Sequence, residues 1–514
     1  MRPVRIQINQ LKAGVILSYL SAGMGLVISL LYTPVMLKVL GKSEYGVYTL
    51  AASVVSYLSL LSFGTSSAYV RYYSKYRVSG DATAIAKLNG MYLAFYAFIG
   101  VIALGAGTVV AMNAGLIFTA KLTTGEIAII KPLIMILVVN IALSFPLSLF
   151  GSYISANERF FMQRLVQLAR TLVNPFLMLA VLFLGYGSVG LVIVSVCLNL
   201  FTDVIYLIYC IKKLHFKAVW SGLDWPLFRE IAIFSSFIFI NLIVDQINWN
   251  IDKLFLAFFQ GSVAIAVYGI GSLINNYYLQ FSTMIANVFI PRVHKLISAD
   301  GSKEAVTQLF TKVGRLQFVV LALIASGFVF FGQPFIWKWC GPGYEDAYGI
   351  VLLLILPVTV PLIQNLGIEI QRAMNLHKFR SLLYLFIAIL NACISIPLCK
   401  FYGGIGCALG TGISLLLGNG LIMNFYYHKK CGIDILYFWK QVLHFLPAFL
   451  PVTVVGLLLI RFVDLSNTLG LIGAICAYAL VYCGAMWLWG LNEYEKGLIQ
   501  RPLRRVMKGR NHND

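Results

Sequence analysis

The stretch Leu40-Gly41-Lys42-Ser43-Glu44-Tyr45-Gly46-Val47-Tyr48 returns in outline as Gln260-Gly261-Ser262-Val263-Ala264-Ile265-Ala266-Val267-Tyr268. Each copy holds a glycine, six residues, then a tyrosine preceded by valine, and the second lies 220 positions after the first. A basic residue closes the following apolar run in both, Arg71 and Arg292, at an offset of 221. Further along, Asn157-Glu158-Arg159-Phe160 parallels Leu376-His377-Lys378-Phe379 at 219. Tyr186-Gly187-Ser188-Val189-Gly190 parallels Tyr402-Gly403-Gly404-Ile405-Gly406 at 216. Four matches in one order, at nearly one offset, mark the chain as a duplication. Glycines at such places suit tight turns and close helix approach.

What is duplicated follows from composition. The 514 residues are 60% hydrophobic and only 11% charged, with a mean hydropathy of +0.85. A soluble domain carries roughly 25% charged residues, so too little polar surface exists to face water. Soluble enzymes, nucleic-acid-binding modules, disordered scaffolds and secreted disulfide proteins are excluded. A bilayer core about 30 Å thick takes roughly 20 apolar residues per helix. Fourteen windows meet that length, from residues 13–37 to residues 469–489.

The net charge of +20, from 39 Lys and Arg against 19 Asp and Glu, sits in short clusters between those windows. Counted over alternate loops, 31 of the basic residues fall on one side and eight on the other. By the positive-inside rule both termini are expected in the cytoplasm, which requires an even number of spans. The start, Met1-Arg2-Pro3-Val4-Arg5, precedes an apolar run too long for a signal peptide and reads as the first span. The cluster Arg501, Arg504, Arg505, Lys508 and Arg510 fits attraction to anionic inner-leaflet lipid. Nucleic acid is not an expected partner. Cys197, Cys210, Cys393, Cys476 and Cys483 lie in apolar windows without a CxxC pair, and the six histidines lack metal spacing. They read as buried small hydrophobes, and neither a metal nor a cofactor is expected.

The repeat unit therefore spans six helices. An even count keeps both copies in one orientation, related by an axis along the membrane normal. The expected organisation is a six-helix lobe over residues 1–215, a second over 216–430, an appended helix pair over 431–490 and a basic cytoplasmic tail over 491–514. Transporters built this way carry substrate between their lobes near the midplane.

Polar residues inside the spans point to such a passage. Asn241, Asp245, Asn248 and Asp252 are spaced i, i+4, i+7, i+11, which places them on one helical face. Asn276, Gln280, Thr283 and Asn287 repeat that spacing on the next span. Ser18, Ser21, Gly25, Ser29 and Thr33 line the first span, and Thr49, Ser53, Ser56, Gly64, Ser67 and Arg71 follow one face of the second. Serine stripes alone read as helix-packing glue. The carboxylates differ, because an ionised Asp facing lipid costs about 2.5–3.5 kcal/mol. Asp245 should face protein or water, Asp252 could be solvated or paired, and Arg170 and Asp203 are candidate helix–helix partners. Arg71 and Arg292 are either positive-inside anchors or phosphate ligands, since a guanidinium meets phosphate oxygens bidentately and stays charged.

The run Leu40 to Tyr48, together with Phe63-Gly64-Thr65-Ser66-Ser67-Ala68-Tyr69-Val70-Arg71, resembles the first turns of bacterial polysaccharide-biosynthesis membrane proteins. Asp252 with Gly261 and Tyr268 is similar to their seventh-helix pattern. So is Asn391 through Pro397 followed by Tyr402-Gly403-Gly404-Ile405-Gly406-Cys407-Ala408 to a later segment, although Cys407 stands where a small Ala or Gly is usual. These are the Wzx-type oligosaccharide flippases of the multidrug/oligosaccharidyl-lipid/polysaccharide exporter superfamily, and the resemblance covers about residues 10–430. It implies a MATE-like all-α polytopic membrane protein in a bacterial inner membrane, and no enzyme. It also implies flipping of an undecaprenyl-pyrophosphate-linked oligosaccharide to the outer leaflet by alternating access, with proton or sodium coupling and polysaccharide assembly proteins as partners. On this reading Arg71, Arg292, Asn241, Asn248, Asn276 and Gln280 meet the substrate, and Asp245 and Asp252 serve coupling.

Other readings stay open on the sequence. A cation-coupled multidrug exporter of the same fold would favour aromatics and acids over arginine in its site. A flippase for the peptidoglycan precursor is barely separable. A membrane-embedded glycosyltransferase or polymerase should gather carboxylates in a large outer loop, where little beyond Glu126, Glu345 and Asp346 occurs.

Overall fold

The computed structural model describes residues 10–500, apart from 119, 120, 221, 223, 300, 301, 375 and 499. Arg2, Arg5 and the tail cations Arg501, Arg504, Arg505, Lys508 and Arg510 lie outside the described residues. Among the described residues every regular element is helical.

Helix α1 (Gln10–Leu58) would be about 74 Å long if straight, but it is broken at Gly41, whose φ of 73° and ψ of 173° suit only glycine. A 3₁₀ turn and left-handed Phe63 and Gly64 separate it from α2 (Thr65–Val78), so the second apolar window is interrupted rather than one rod. There follow α3 (Ala82–Met112), the short α4 (Ala114–Phe118), α5 (Thr124–Ala156), α6 (Phe160–Phe183), α7 (Gly187–Leu214), α8 (Trp225–Phe259) and α9 (Ser262–Ser298). Then come α10 (Lys303–Cys340), α11 (Asp346–Ile363), α12 (Leu366–Ala373) and α13 (His377–Leu415). Helix α13 breaks at Gly403 and leads through a π-helical stretch to α14 (Asn424–Lys429). Helices α15 (Ile435–Leu443), α16 (Leu446–Phe462) and α17 (Thr468–Ala485) complete the order. Side chains cap several starts: Asp81 for α3, Asp224 for α8, Ser302 for α10, Asp434 for α15 and a Thr123–Glu126 capping box for α5.

Among the described residues eleven helical stretches are long and apolar enough to cross a membrane, and two of them, Leu17–Val78 and Phe379–Lys429, are 62 and 51 residues long. Each of those two contains a non-helical glycine. Helix α9 is outside this set because its polar face dilutes its apolar content. The chain is thus an all-α polytopic membrane protein. The repeat is visible in the backbone: Gly41 and Gly261 share a positive φ, as do Gly187 and Gly403.

Two compact units emerge, the first from Met1–Gly269 with Ser395–Cys407 and the second from Ile270–Ile394 with Ala408–Asp514. By packing, α8 belongs to the first. A Cβ on Gly64 would sit 2.4 Å from Ile238 of α8, and Ser56 of α1 donates to Gln246 of α8 at 3.1 Å. The core of the first unit is rich in tyrosine, with Tyr69, Tyr72, Tyr73, Tyr92, Tyr96 and Tyr153 all buried. Their hydroxyls find partners: Tyr69 donates to Asn89 at 2.6 Å and Tyr73 to Asn157 at 2.9 Å.

Within the second unit, one buried residue joins α10 to several later segments. Arg315 of α10, 2% exposed, donates to Glu495 through Nε at 2.7 Å and through Nη2 at 2.9 Å. It also reaches the carbonyls of Gln441 at 2.6 Å and Gly490 at 2.9 Å, with its guanidinium 4.2 Å over the Phe445 ring. The 31 basic residues counted on one side include Arg315, at the end of the 292–315 stretch; the structure corrects its placement in a loop, for it is a buried fastener. A second correction concerns the cysteines. Cys210 is buried, but Cys197, Cys393, Cys476 and Cys483 are exposed, because an apolar window in a membrane protein has a lipid side as well as a core side.

Removing one partner of a buried ion pair costs about 3–5 kcal/mol, since it strands the other charge. Arg315→Met should therefore lower the thermal unfolding temperature of the detergent-purified protein sharply. Arg315→Met with Glu495→Met should recover a large part of the loss.

Candidate functional site

Helix α9 has two faces. Tyr278, Ser282, Ala286 and Val293 are buried on one, and they are bonded into the second unit as well as packed there. The Tyr278 hydroxyl lies 2.6 Å from Thr359 Oγ1, Ser282 Oγ donates to the Leu362 carbonyl at 2.9 Å, and Gln317 Nε2 donates to Ser282 Oγ at 2.9 Å. On the opposite face Asn276, Gln280, Thr283 and Asn287 are all exposed. The spacing read from the sequence is therefore one polar stripe, held outward by a hydrogen-bonded back. Arg292, one turn beyond, is exposed too.

Helix α8 divides its stripe differently. Asn241 and Asp245 are exposed, whereas Asn248 and Asp252 are buried. The helical face continues, but its neighbours cover only the second half. Asp252 accepts a hydrogen bond from the Tyr268 hydroxyl of α9, and Cys407 Sγ lies 4.0 Å from the Asp252 carbonyl. Sequence reasoning missed Gln246, which fastens α8 to α1. Its Oε1 accepts from Ser56 Oγ at 3.1 Å and from Asn250 Nδ2 at 2.7 Å, and its Nε2 donates to the Ser56 carbonyl at 3.3 Å.

The serine stripes of α1 behave as packing groups. Ser53 is buried and donates to the Thr49 carbonyl at 2.9 Å, Thr33 is buried, and a Cβ on Gly25 would touch Thr171 of α6 at 3.6 Å. Ser67 and Arg71 on α2 are exposed. The Arg71 guanidinium lies 4.6 Å from the Phe234 ring of α8, a stacking that leaves the in-plane N–H donors of a guanidinium for other acceptors. Asp203 of α7 accepts from Ser144 Oγ at 3.3 Å, on a helix packed against the α6 that carries Arg170.

The repeated glycine turn has its own chemistry. A Cβ on Gly46 would lie 2.0 Å from the Ser262 carbonyl, so α1 and the start of α9 touch backbone to backbone. Glu126, almost wholly buried, gathers donors there: Ser43 Oγ at 2.5 Å, the Ser262 hydroxyl, Thr123 N at 2.7 Å and Thr123 Oγ1 at 3.0 Å. Glu44 accepts from the backbone N–H of Ser188 at 2.6 Å, capping the start of α7 beside Gly187. In the second copy Gln260 donates to the carbonyls of Cys399 at 3.0 Å and Lys400 at 3.3 Å, beside Gly403. The sequence reading had placed Glu126 among sparse outer-loop acids. Two of its four donors belong to Thr123 of its own capping box, and the other two, Ser43 and Ser262, come from distant segments that only the fold brings together. Among the described residues no three His, Cys, Asp or Glu side chains are grouped to hold a metal ion.

Comparison with known proteins gives this arrangement a context. A family model described as "Polysaccharide biosynthesis protein" matches residues 11–297, more than half of the chain. No curated protein matches. Among solved structures the chain is similar to the lipid II flippase MurJ in its inward closed conformation, with 18% identity, 95% of this chain and 99% of that one covered, and a TM-score of 0.72. It is similar to the Vibrio cholerae MATE transporter VcmN in its bent form, at 14% identity, 82% and 97% coverage and a TM-score of 0.55. A further likeness is to a MOP-superfamily transporter from Pyrococcus furiosus, described as having a binding pocket of reverse polarity, at 12% identity, 81% and 96% coverage and a TM-score of 0.54. At these identities the likenesses speak for the fold, which is MATE-like.

If the outward face of α9 is wet, thiols there ionise and react, because the thiolate is the nucleophile. In a cysteine-free background Asn276→Cys, Gln280→Cys, Thr283→Cys and Asn287→Cys should label with a hydrophilic thiol reagent at least about tenfold faster than Val288→Cys, an exposed apolar neighbour. Equally slow labelling at all five would mean that lipid covers the stripe.

Proposed function

The chain belongs to the polysaccharide biosynthesis protein family, and on that premise we propose that it flips a lipid-linked oligosaccharide with a pyrophosphate head from the cytoplasmic to the outer leaflet of a bacterial cell membrane. The observation that carries this reading is the exposed amide stripe of α9 within otherwise apolar protein. A pyrophosphate-sugar head cannot enter hydrocarbon unaided, since bare ion transfer into low dielectric costs on the order of 20 kcal/mol before relaxation. The polyprenyl tail never has to leave lipid. What the protein must supply is a polar wall for the head alone.

In this proposal Asn241, Asn276 and Gln280 exchange hydrogen bonds with sugar hydroxyls, and Asn248, which is buried, sets the position of α8. Arg71 and Arg292 meet the pyrophosphate at the cytoplasmic end, where both termini also lie. Alternating access then carries the head past the stripes. Asp245 is the exposed carboxylate that exchanges a proton or sodium ion. Asp252, held by Tyr268, supports the same coupling from within the protein. MurJ, the lipid II flippase whose fold this chain shares, fits the same substrate class, and the presence of arginine rather than further acids favours an anionic head over cationic drugs.

Surface glycan output in cells and transfer of fluorescent lipid-linked glycan in proteoliposomes test the proposal. Hydrogen bonds to charged groups contribute about 1.5–3 kcal/mol, so Arg71→Ala with Arg292→Ala should lower transfer by at least about tenfold at normal expression. Full transfer by that double variant would remove the phosphate role. For coupling, Asp245→Asn should abolish the response of transfer to an imposed proton or sodium gradient; an unchanged response would rule this carboxylate out.

A further inference from the structure

Residues 215–220, which follow the first sequence repeat, are fixed in place although they form no helix. They leave α7 at left-handed His215 (φ 51°). Val219 N donates to the Ala86 carbonyl of α3 at 2.9 Å, and Asn89 Nδ2 donates to the Lys217 carbonyl at 2.8 Å. A Cβ on Gly90 would sit 2.3 Å from the Val219 carbonyl, so only glycine allows this approach. Phe216 turns inward, with its ring 5.1 Å from Phe150 and 5.0 Å from Tyr153.

The residues left outside have an unusual mixture. Val219 is 52% exposed, Trp220 61% and Trp225, the first residue of α8, 68%. Lys212, Lys213, Lys217 and Arg229 are exposed around them. The acids nearby are Asp224, spent on capping α8 through Leu227 N at 3.1 Å, and exposed Glu230. Asp81 lies beneath, in a cavity of about 370 Å³ with Tyr76, Thr83, Lys87 and Asp224. Its carboxyl is held below the usual range by the Thr83 hydroxyl and the Ala84 amide, and it caps α3. Two tryptophans between membrane-span ends, surrounded by flexible cations, match the water–lipid boundary: indole rings prefer the headgroup level, and basic residues prefer anionic headgroups.

We infer that the inter-repeat segment is a bilayer anchor, in which Trp220 and Trp225 sit at headgroup level and Lys212, Lys213 and Lys217 engage anionic lipid. The leaflet concerned, the cytoplasmic one, rests on the orientation proposed above; the anchoring itself does not. Because the segment is also hydrogen-bonded to α3, it pins the start of α8 to the membrane surface.

The test uses the full chain in nanodiscs of phosphatidylcholine, with or without phosphatidylglycerol, carrying a spin label either next to the headgroup or at the acyl-chain end. The chain has eight tryptophans, so the signal of the pair is the difference between the native protein and Trp220→Phe/Trp225→Phe. The expected result is strong quenching of that difference by the shallow label, little by the deep one, and more when phosphatidylglycerol is present. Each basic residue at an anionic surface strengthens association about fivefold, so Lys212→Gln/Lys213→Gln/Lys217→Gln should erase most of the phosphatidylglycerol effect. A pair quenched by aqueous iodide and indifferent to the shallow label overturns the anchor and points to a protein partner. A phosphatidylglycerol effect unchanged by the lysine substitutions overturns the headgroup contact. Should the phenylalanine variant lose its native elution profile, Trp220→Tyr/Trp225→Tyr replaces it. None of these readouts depends on transport, so they separate from any failure of the flipping proposal.

Discussion

A helix interrupted at or near a membrane must have its freed backbone groups satisfied by the protein, because hydrocarbon offers no hydrogen bonds. This constraint governs the architecture around the repeated glycines. The break at Gly41 is flanked by Ser43 and Glu44, and Glu44 turns to cap α7 next to the break glycine Gly187. In the second copy Gln260, next to Gly261, turns to the carbonyls of Cys399 and Lys400 just before Gly403. In each copy the first break is thus fastened to the last. In both copies it is the residue beside the first break that supplies the polar partner, a carboxylate for an N–H in one and an amide for carbonyls in the other.

The duplication also reaches beyond six helices. After the first copy the chain docks on α3, where Val219 N meets the Ala86 carbonyl. After the second copy it docks on α10, where Asp434 N meets Thr307 Oγ1 at 3.1 Å. Ala86 and Thr307 are 221 positions apart, the offset of the repeat. The pair α15–α16 therefore meets its own unit where the approach to α8 meets the first. That equivalence was hidden in the sequence because one contact uses a backbone carbonyl and the other a hydroxyl.

What was legible in the sequence is what periodicity and glycine encode. Asn276, Gln280, Thr283 and Asn287 share a face because 3.6 residues make a turn, and all four are exposed because the opposite face is bonded into the second unit. The same spacing on α8 could not show that Asn248 and Asp252 turn into the protein while Asn241 and Asp245 do not, since that depends on Tyr268 and on Gln246 reaching Ser56. Hydropathy was blind to side: it could not tell exposed Cys197 or Cys476 from buried Cys210. Charge counting was blind to depth, and so counted Arg315 with the loops although Glu495, 180 positions later, encloses it.

The two stripes differ in a way that bears on how a passage could work. Helix α9 presents amides on a back that is itself hydrogen-bonded, through Tyr278, Ser282 and Gln317. Rotating that face away would break several bonds in a medium that does not replace them. Helix α8 carries carboxylates seven residues apart in opposite surroundings, Asp245 outside and Asp252 inside. A charge that changes its partner must be reachable, while a charge that positions a helix must be enclosed. Both surroundings occur on one helix, where Asp245 is exposed and Asp252 is enclosed and bonded by Tyr268.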